Sequence, residues 1–308
     1  VTLLRDLPSA VDRWTRHSAY SDPGPYGDLL RAVDPTTEAV SATARNLIAH
    51  YRGEAHLVPA STRADIHLRW LADQLATDQD RHHTPLTEPR ALSDRLQGCC
   101  RDHSLFCVGA LREHGVPART RIGFAGYLSP GFHHDHVVVE RLDGTRWVRF
   151  DPELAAGFTD EFDVTDMPTG PSSPFQTAAE VWREHRTGHL DVTRYGVDLT
   201  MDEPLRGAPI VAAYVIGEVA HRHGDELLLW DVWGQCAEDP TADPDLIDDV
   251  AALLLAADAE EQAGELDGPR ARALADRYAA DERLHPGAAV WQLSPLQPGR
   301  APVQVPLR

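Results

Sequence analysis

The sequence predicts an α+β protein, with a buried helix laid against an antiparallel sheet and further helices before and after it. Three observations carry that expectation. Residues 100–114 read as a helix with almost no polar face, "SLFCVGAL" at its centre, and a helix apolar nearly all round belongs inside a protein. Behind it come the β-type segments "ARTRIGFAGYL", "HVVVERL" and "TRWVRFDPEL", the last two flanking Asp143-Gly144, a strong hairpin signal. At 308 residues the chain also has enough surface to bury a core without disulfide or metal staples.

The elements follow in order. Residues 1–36, rich in Pro, Gly, Asp and Tyr, read as irregular with a short helix. "TTEAVSATARNLIAHYRGE" opens on a Thr cap with Glu38 in its first turn and closes on Gly53, and "STRADIHLRWLADQLATDQ" repeats the pattern. "RHHTPLTEPRALSDRLQG" reads as a loop leading to Cys99 and Cys100. The helix after them stops at Gly115, with Pro117 just beyond. After the connector "MPTGPSSPF" the pattern is mainly helical, in "QTAAEVWREHR", "APIVAAYVIGEVAHRHGDELLLWDVWG", "DLIDDVAALLLAADAEEQ" and "PRARALADRYAADERL". From His285 the chain is Pro-rich and expected to run extended over the surface. This divides the chain into an N-terminal helical region (1–90), a central unit (91–170) and a mainly helical C-terminal region with its extended tail (171–308).

Composition narrows the function. The net charge of −19 argues against nucleic-acid or anionic-membrane partners, which need concentrated basic side chains. All the positive charge is arginine; with no lysine, phosphate-loop, Schiff-base and Ser-Lys chemistry are excluded. Four cysteines and no leader pattern favour a reducing, cytoplasmic setting, and no apolar run approaches the ~18 residues of a membrane span.

The hairpin suggests a site. A two-residue Asp143-Gly144 turn pairs Leu142 with Thr145 and, counting back, His136 with Asp151, with Cβ atoms roughly 4.5–5.5 Å apart. A carboxylate on one ring nitrogen fixes the tautomer and leaves the other nitrogen to act on a nucleophile. Cys100 supplies one by position, because the start of a buried helix offers unpaired N–H groups and the positive dipole end, which favour thiolate. Taken singly, a cysteine is most often a small buried hydrophobe and a His–Asp pair a structural bond. The matching register favours a site over those coincidences. His134, Asp135 and His136 could hold a metal, but they lack the ligand spacing of convincing zinc sites, and no metal or cofactor is expected. Trp230, Trp233, Cys107 and Cys236 read as packing, and the acidic runs "DPDLIDDV" and "AADAEEQ" as solvated helix faces.

"GCCRDHSLFCVGALREHGVPAR", "HVVVE" and "WVRFDPE" together resemble the core of the transglutaminase-like superfamily: G-x-C-x-D, a helix, G-[IV]-P-A-R, a strand His with an apolar run, then W-V-x-x-D-P. The resemblance implies a papain-like core. It also implies acyl transfer through a thioester from an amide, ester or thioester to an amine or water, with Cys100 as nucleophile, His136 as base and acid, and Asp151 orienting it. Gly98 and Asp102 fill the flanking motif positions. Val137-Val138 stand where the family usually has a small residue and Trp. His134, Asp135, Gln97, Tyr127 and Trp147 are the expected substrate-binding residues, and the expected partner is a small-molecule, peptide or carrier-bound acyl substrate. A catalytically silent binding domain is the alternative.

Overall fold

The computed structural model describes residues 10–170, 172–197, 205–237 and 239–308. After the short helices α1 (Ala10–Thr15) and α2 (Gly27–Arg31), α3 (Thr37–Leu47) starts where Thr36 Oγ1 accepts the Ala39 N–H. Its end corrects the expected boundary at Gly53. Ile48 leaves the helix with extended backbone, and β1 (Ile48–His50) pairs in parallel with β2 (Leu96–Gly98), so inter-strand bonds outweigh continuing the helix. The second expected helix is divided as well, into a 3-10 stretch (Ala60–His67) and α4 (Leu71–His82). Gln74 donates to the Leu68 carbonyl between them, satisfying a group the break frees.

The buried helix α5 (Cys100–Glu113) packs on a sheet of order β5-β4-β3-β6, with β7 (Tyr195–Gly196) joining β4 in parallel. Strands β3 (Ala118–Ser129) and β4 (Phe132–Asp143) form its antiparallel centre, flanked by β5 (Arg146–Phe150) and β6 (Phe175–Thr177). Ser104 Oγ donates to the Val137 carbonyl and ties helix to sheet. The hairpin register differs from the expected one by one turn position. Asp143 pairs with Arg146, so the turn residues are Gly144 and Thr145, and His136 and Asp151 are not directly opposite. Only Gly144 has positive φ, at 62°, which fits a turn with Gly first and not one with Asp143 at its centre. The slip moves the partner by two residues, so the side-chain faces are kept.

The C-terminal region is less helical than its pattern. Helices α6 (Ala178–Arg186), α7 (Ala208–Arg222), α8 (Pro244–Gln262) and α9 (Pro269–Ala280) form, but beyond Gly224 the chain turns extended into β8 (Asp231–Val232). There it pairs with β9 (Ala289–Gln292), which pairs with β10 (Val303–Pro306), so the Pro-rich tail is partly a small sheet. One hydrophobic core runs from Tyr20 to Val290 and draws on all three sequence regions.

The acidic face of α8 is a further correction. Asp258 and Glu261 turn inward onto Arg121 and Arg119 at 2.7 Å, and both arginines also bind Glu140 of β4. Arg149 and Glu218 complete this buried network. Arginines inside a sheet cannot stay unpaired, so carboxylates from α7 and α8 follow them in.

Candidate active site

Gly98 leads the chain from β2 into α5, and its lack of a side chain is a local requirement. A Cβ there would stand 2.8 Å from Asp102 Oδ2 and 2.9 Å from Ile48 Cγ2. Asp102 needs that space because its Oδ2 accepts the Cys99 N–H at 2.8 Å while Oδ1 takes bonds from Gln74 and Arg101. The cap fixes Cys99 as the last extended residue and Cys100 as the first helical one. The first turn of α5 is closed onto Cys99, whose carbonyl accepts the Asp102 and His103 N–H groups at 2.9 and 3.2 Å.

His136 Nε2 lies 2.8 Å from Asp151 Oδ2, and the Tyr127 hydroxyl donates to that same oxygen at 2.7 Å. Asp151 Oδ1 accepts the Glu153 N–H at 3.0 Å. Burial opposes charge on the imidazole, but the Asp151 charge and hydrogen bond outweigh it, with Glu153 and Asp135 adding to them, and raise His136 from 6.5 to about 9. Burial would raise Asp151, yet the imidazolium and its hydrogen bonds hold it below its ordinary value. The ring's other nitrogen, Nδ1, stands 3.8 Å from Glu153 Oε2. Glu153 also lies 3.3 Å from His103 and 3.9 Å from His50.

The thiol differs from its sequence expectation. The hydrogen bond with Cys99, complete burial, and the charges of Cys99, Glu153 and Asp135 raise Cys100 well above its ordinary value. Cys99 gains from its bond to Cys100, but burial and Asp102 still leave it raised. The dipole end expected to favour thiolate is thus outweighed by desolvation and nearby carboxylates.

Cys100, Cys99, His136, Glu153, His134 and Asp135 all line one cavity of about 1380 Å³. Other walls come from β1 and the turn after it, β3, one face of α7 from Ile210 to His221, residues 227–233 and residues 293–300. Asp135 is held by the Tyr214 hydroxyl at 2.7 Å. The other expected substrate contacts lie outside this wall. Gln97 donates to the Pro59 carbonyl and to the Thr62 hydroxyl at 2.7 Å, which ties it to the start of the 3-10 stretch. Tyr127 is spent on Asp151, and Trp147 packs edge-on against Trp14 with Arg119 over its face.

Sequence reading missed several wall residues. Trp230 and Trp233 belong to the core as expected, but they sit in the non-helical stretch after α7 and also line the cavity. Tyr51, hidden in what read as a helix, follows β1; burial chiefly raises its hydroxyl, with both cysteines contributing, so it stays an O–H donor. Glu153 was legible as the residue after the Asp-Pro motif, but nothing in its spacing announced three neighbouring histidines. Among the described residues, the group nearest to metal-ligand geometry is His136, Asp151 and Glu153, with ligand atoms within 4.8 Å of one another. The Nε2–Oδ2 contact in it is already a hydrogen bond.

The model of the transglutaminase-like superfamily matches residues 38–152, from the first turn of α3 to the residue after Asp151. No curated protein matches the chain. A solved structure of a candidate cysteine protease from Cytophaga hutchinsonii is similar at 17% identity and a TM-score of 0.32, over 50% of this chain and 45% of that one. The chain therefore spans under half the length of that protein.

Proposed function

The chain belongs, through residues 38–152, to the transglutaminase-like superfamily, and from that premise we propose that it is a cysteine acyl-transfer enzyme. Cys100 attacks the carbonyl of an amide, ester or thioester, its thiol proton leaving for the imidazole. The amine, alcohol or thiol departs with a proton from His136, and an amine or water then takes the acyl group from sulfur. Asp151 positions His136, while the Cys100 N–H and the Tyr51 hydroxyl are candidate donors to the oxyanion. The supporting observation is the His136–Asp151 bond of 2.8 Å on the wall of the cavity that Cys100 also lines.

The free site rests as imidazolium and neutral thiol, so reaction requires the imidazole to give up a proton before it can take one from Cys100. Substrate that excludes water and separates Glu153 from Nδ1 lowers the imidazole's affinity for its proton and makes it a base. A cavity walled by residues 227–233 and 293–300 suits a discrete acyl group better than an extended polypeptide, which favours amide formation over proteolysis. The four free cysteines fit a reducing, cytoplasmic setting. Among the described residues, no helix is long and apolar enough to cross a membrane.

The raised Cys100 thiol is the observation that favours a silent binding domain. Intact mass after exposure to amide, ester and thioester donors separates the readings. An acyl adduct that disappears in Cys100→Ala is expected of the enzyme, and no adduct at any pH between 6 and ~10, across the panel, refutes it.

A further inference from the structure

We propose that the cavity recognises its acyl substrate through an anionic oxygen group, carboxylate or phosphoryl, bound by Arg52 and Arg300. The assignment rests on reading this cavity as the acyl-substrate site. In a chain of net charge −19 the cavity wall carries Arg45, Arg52, Arg95 and Arg300, and none of them is in an ion pair among the described residues. Two are accounted for by the fold. Arg45 donates to the carbonyls of Pro152 and Leu154 at 2.9 Å, and Arg95 to that of Arg45 at 2.7 Å. Arg52 and Arg300 are not. Neither guanidinium bonds an acceptor among the described residues; Arg52 lies by the Tyr51 ring, 5.2 Å to the centroid, and acts through space on His50 and Asp135.

Among the described residues none of the acidic side chains of the same wall forms an ion pair with them, although the Arg52 charge reaches Asp135 through space. Asp231 is taken by Arg69 at 2.7 and 2.9 Å, Asp135 by Tyr214 at 2.7 Å, and Glu54 by the His50 N–H at 2.8 Å. Glu153 lies among its histidines. Trp230 and Trp233 give the cavity aromatic walls. Guanidinium presents a planar fork matched to carboxylate and phosphate, and those of Arg52 and Arg300 are left without a hydrogen-bond acceptor among the described residues. Two such cations on one wall are complementary to an anionic oxygen group, and a cleft with apolar sides strengthens that attraction.

The test uses the full chain with Cys100→Ala, so that binding is read without reaction, by calorimetric titration of hippurate, its neutral amide hippuramide, and phenyl phosphate. At least one anion is expected to bind about tenfold or more tightly than hippuramide, and whichever does so identifies the group as carboxylate or phosphoryl. Adding Arg52→Gln and Arg300→Gln is expected to abolish that preference. Adding Arg270→Gln and Arg272→Gln on the exposed face of α9 removes the same charge and is expected to retain it. Equal binding of hippuramide and both anions, no binding of any of the three up to ~10 mM, or a preference unchanged without Arg52 and Arg300 overturns the proposal. Because no adduct is measured, these outcomes leave Cys100 as nucleophile standing, and the adduct experiment can fail while anion binding is found.

Discussion

Asp151→Asn removes the charge that holds His136 protonated while keeping a side chain of the same shape. In the folded protein the imidazole is raised from 6.5 to about 9. At ~1.4 kcal/mol for each tenfold in proton affinity, this corresponds to roughly 3 kcal/mol of folding stability. His136 is 2% exposed, so solvent screening takes little from that figure. A raised folded value contributes stability that is fully present below pH 6.5 and lost as pH rises through about 9. In Asp151→Asn the burial that disfavours charge remains, the two largest opposing causes vanish, and the ring is expected to titrate at or below its ordinary value. The variant's stability deficit should therefore be largest at pH 6 and shrink by roughly 3 kcal/mol by about pH 10. Urea unfolding of both proteins across that range measures this as a double difference, in which groups titrating alike in both cancel. The ring C–H resonances of His136 report the titration directly. A deficit independent of pH, or a His136 that still titrates near 9 in the variant, refutes Asp151 as the group that holds the proton and transfers that role to Glu153.

Two further substitutions test the frame of the site. Gly98→Ala places a methyl against Asp102 and Ile48 and should cost about 1–3 kcal/mol by overpacking, read as a lower urea midpoint; an unchanged midpoint means the cap yields freely. Glu140→Gln leaves Arg119, Arg121 and Arg149 short of their shared buried carboxylate, and ~3–5 kcal/mol is expected at neutral pH. Because Glu140 is held well below 4.5, its contribution is present above that pH and fades as pH falls through the lowered folded value. The deficit should therefore narrow in acid, and a deficit constant down to pH 2 contradicts the network's role.

Local chemistry was legible wherever one residue type answers one local need. Gly115 at φ +71 follows the end of α5, and a Thr cap with Glu38 in the first turn opens α3. The His136–Asp151 contact was legible for a related reason. A turn error of one position changed the register by two residues, and a strand's period of two returned both side chains to one face. What failed were patterns whose meaning depends on a distant partner. Residues 48–50 carry a helical pattern but meet β2, and residues 227–233 carry a helical pattern but pair with a strand some 60 residues on. Asp258 and Glu261 look like solvent-facing charge until arginines in β3 appear beneath them.

The sequence by itself determined the buried Cys helix, the antiparallel strands behind it and the placing of His136 and Asp151 on one face, because these follow from periodicity, caps and short-range spacing. Only the tertiary structure decided the state of the site and its surroundings. The hydrogen bond with Cys99 and burial raise Cys100 where its helix position alone would lower it, Glu153 gathers beside His136, and indoles from after α7 join Arg52 and Arg300 around one cavity. Those properties depend on desolvation and on charges brought together from residues up to 250 positions apart, and neither is encoded in any local stretch of chain.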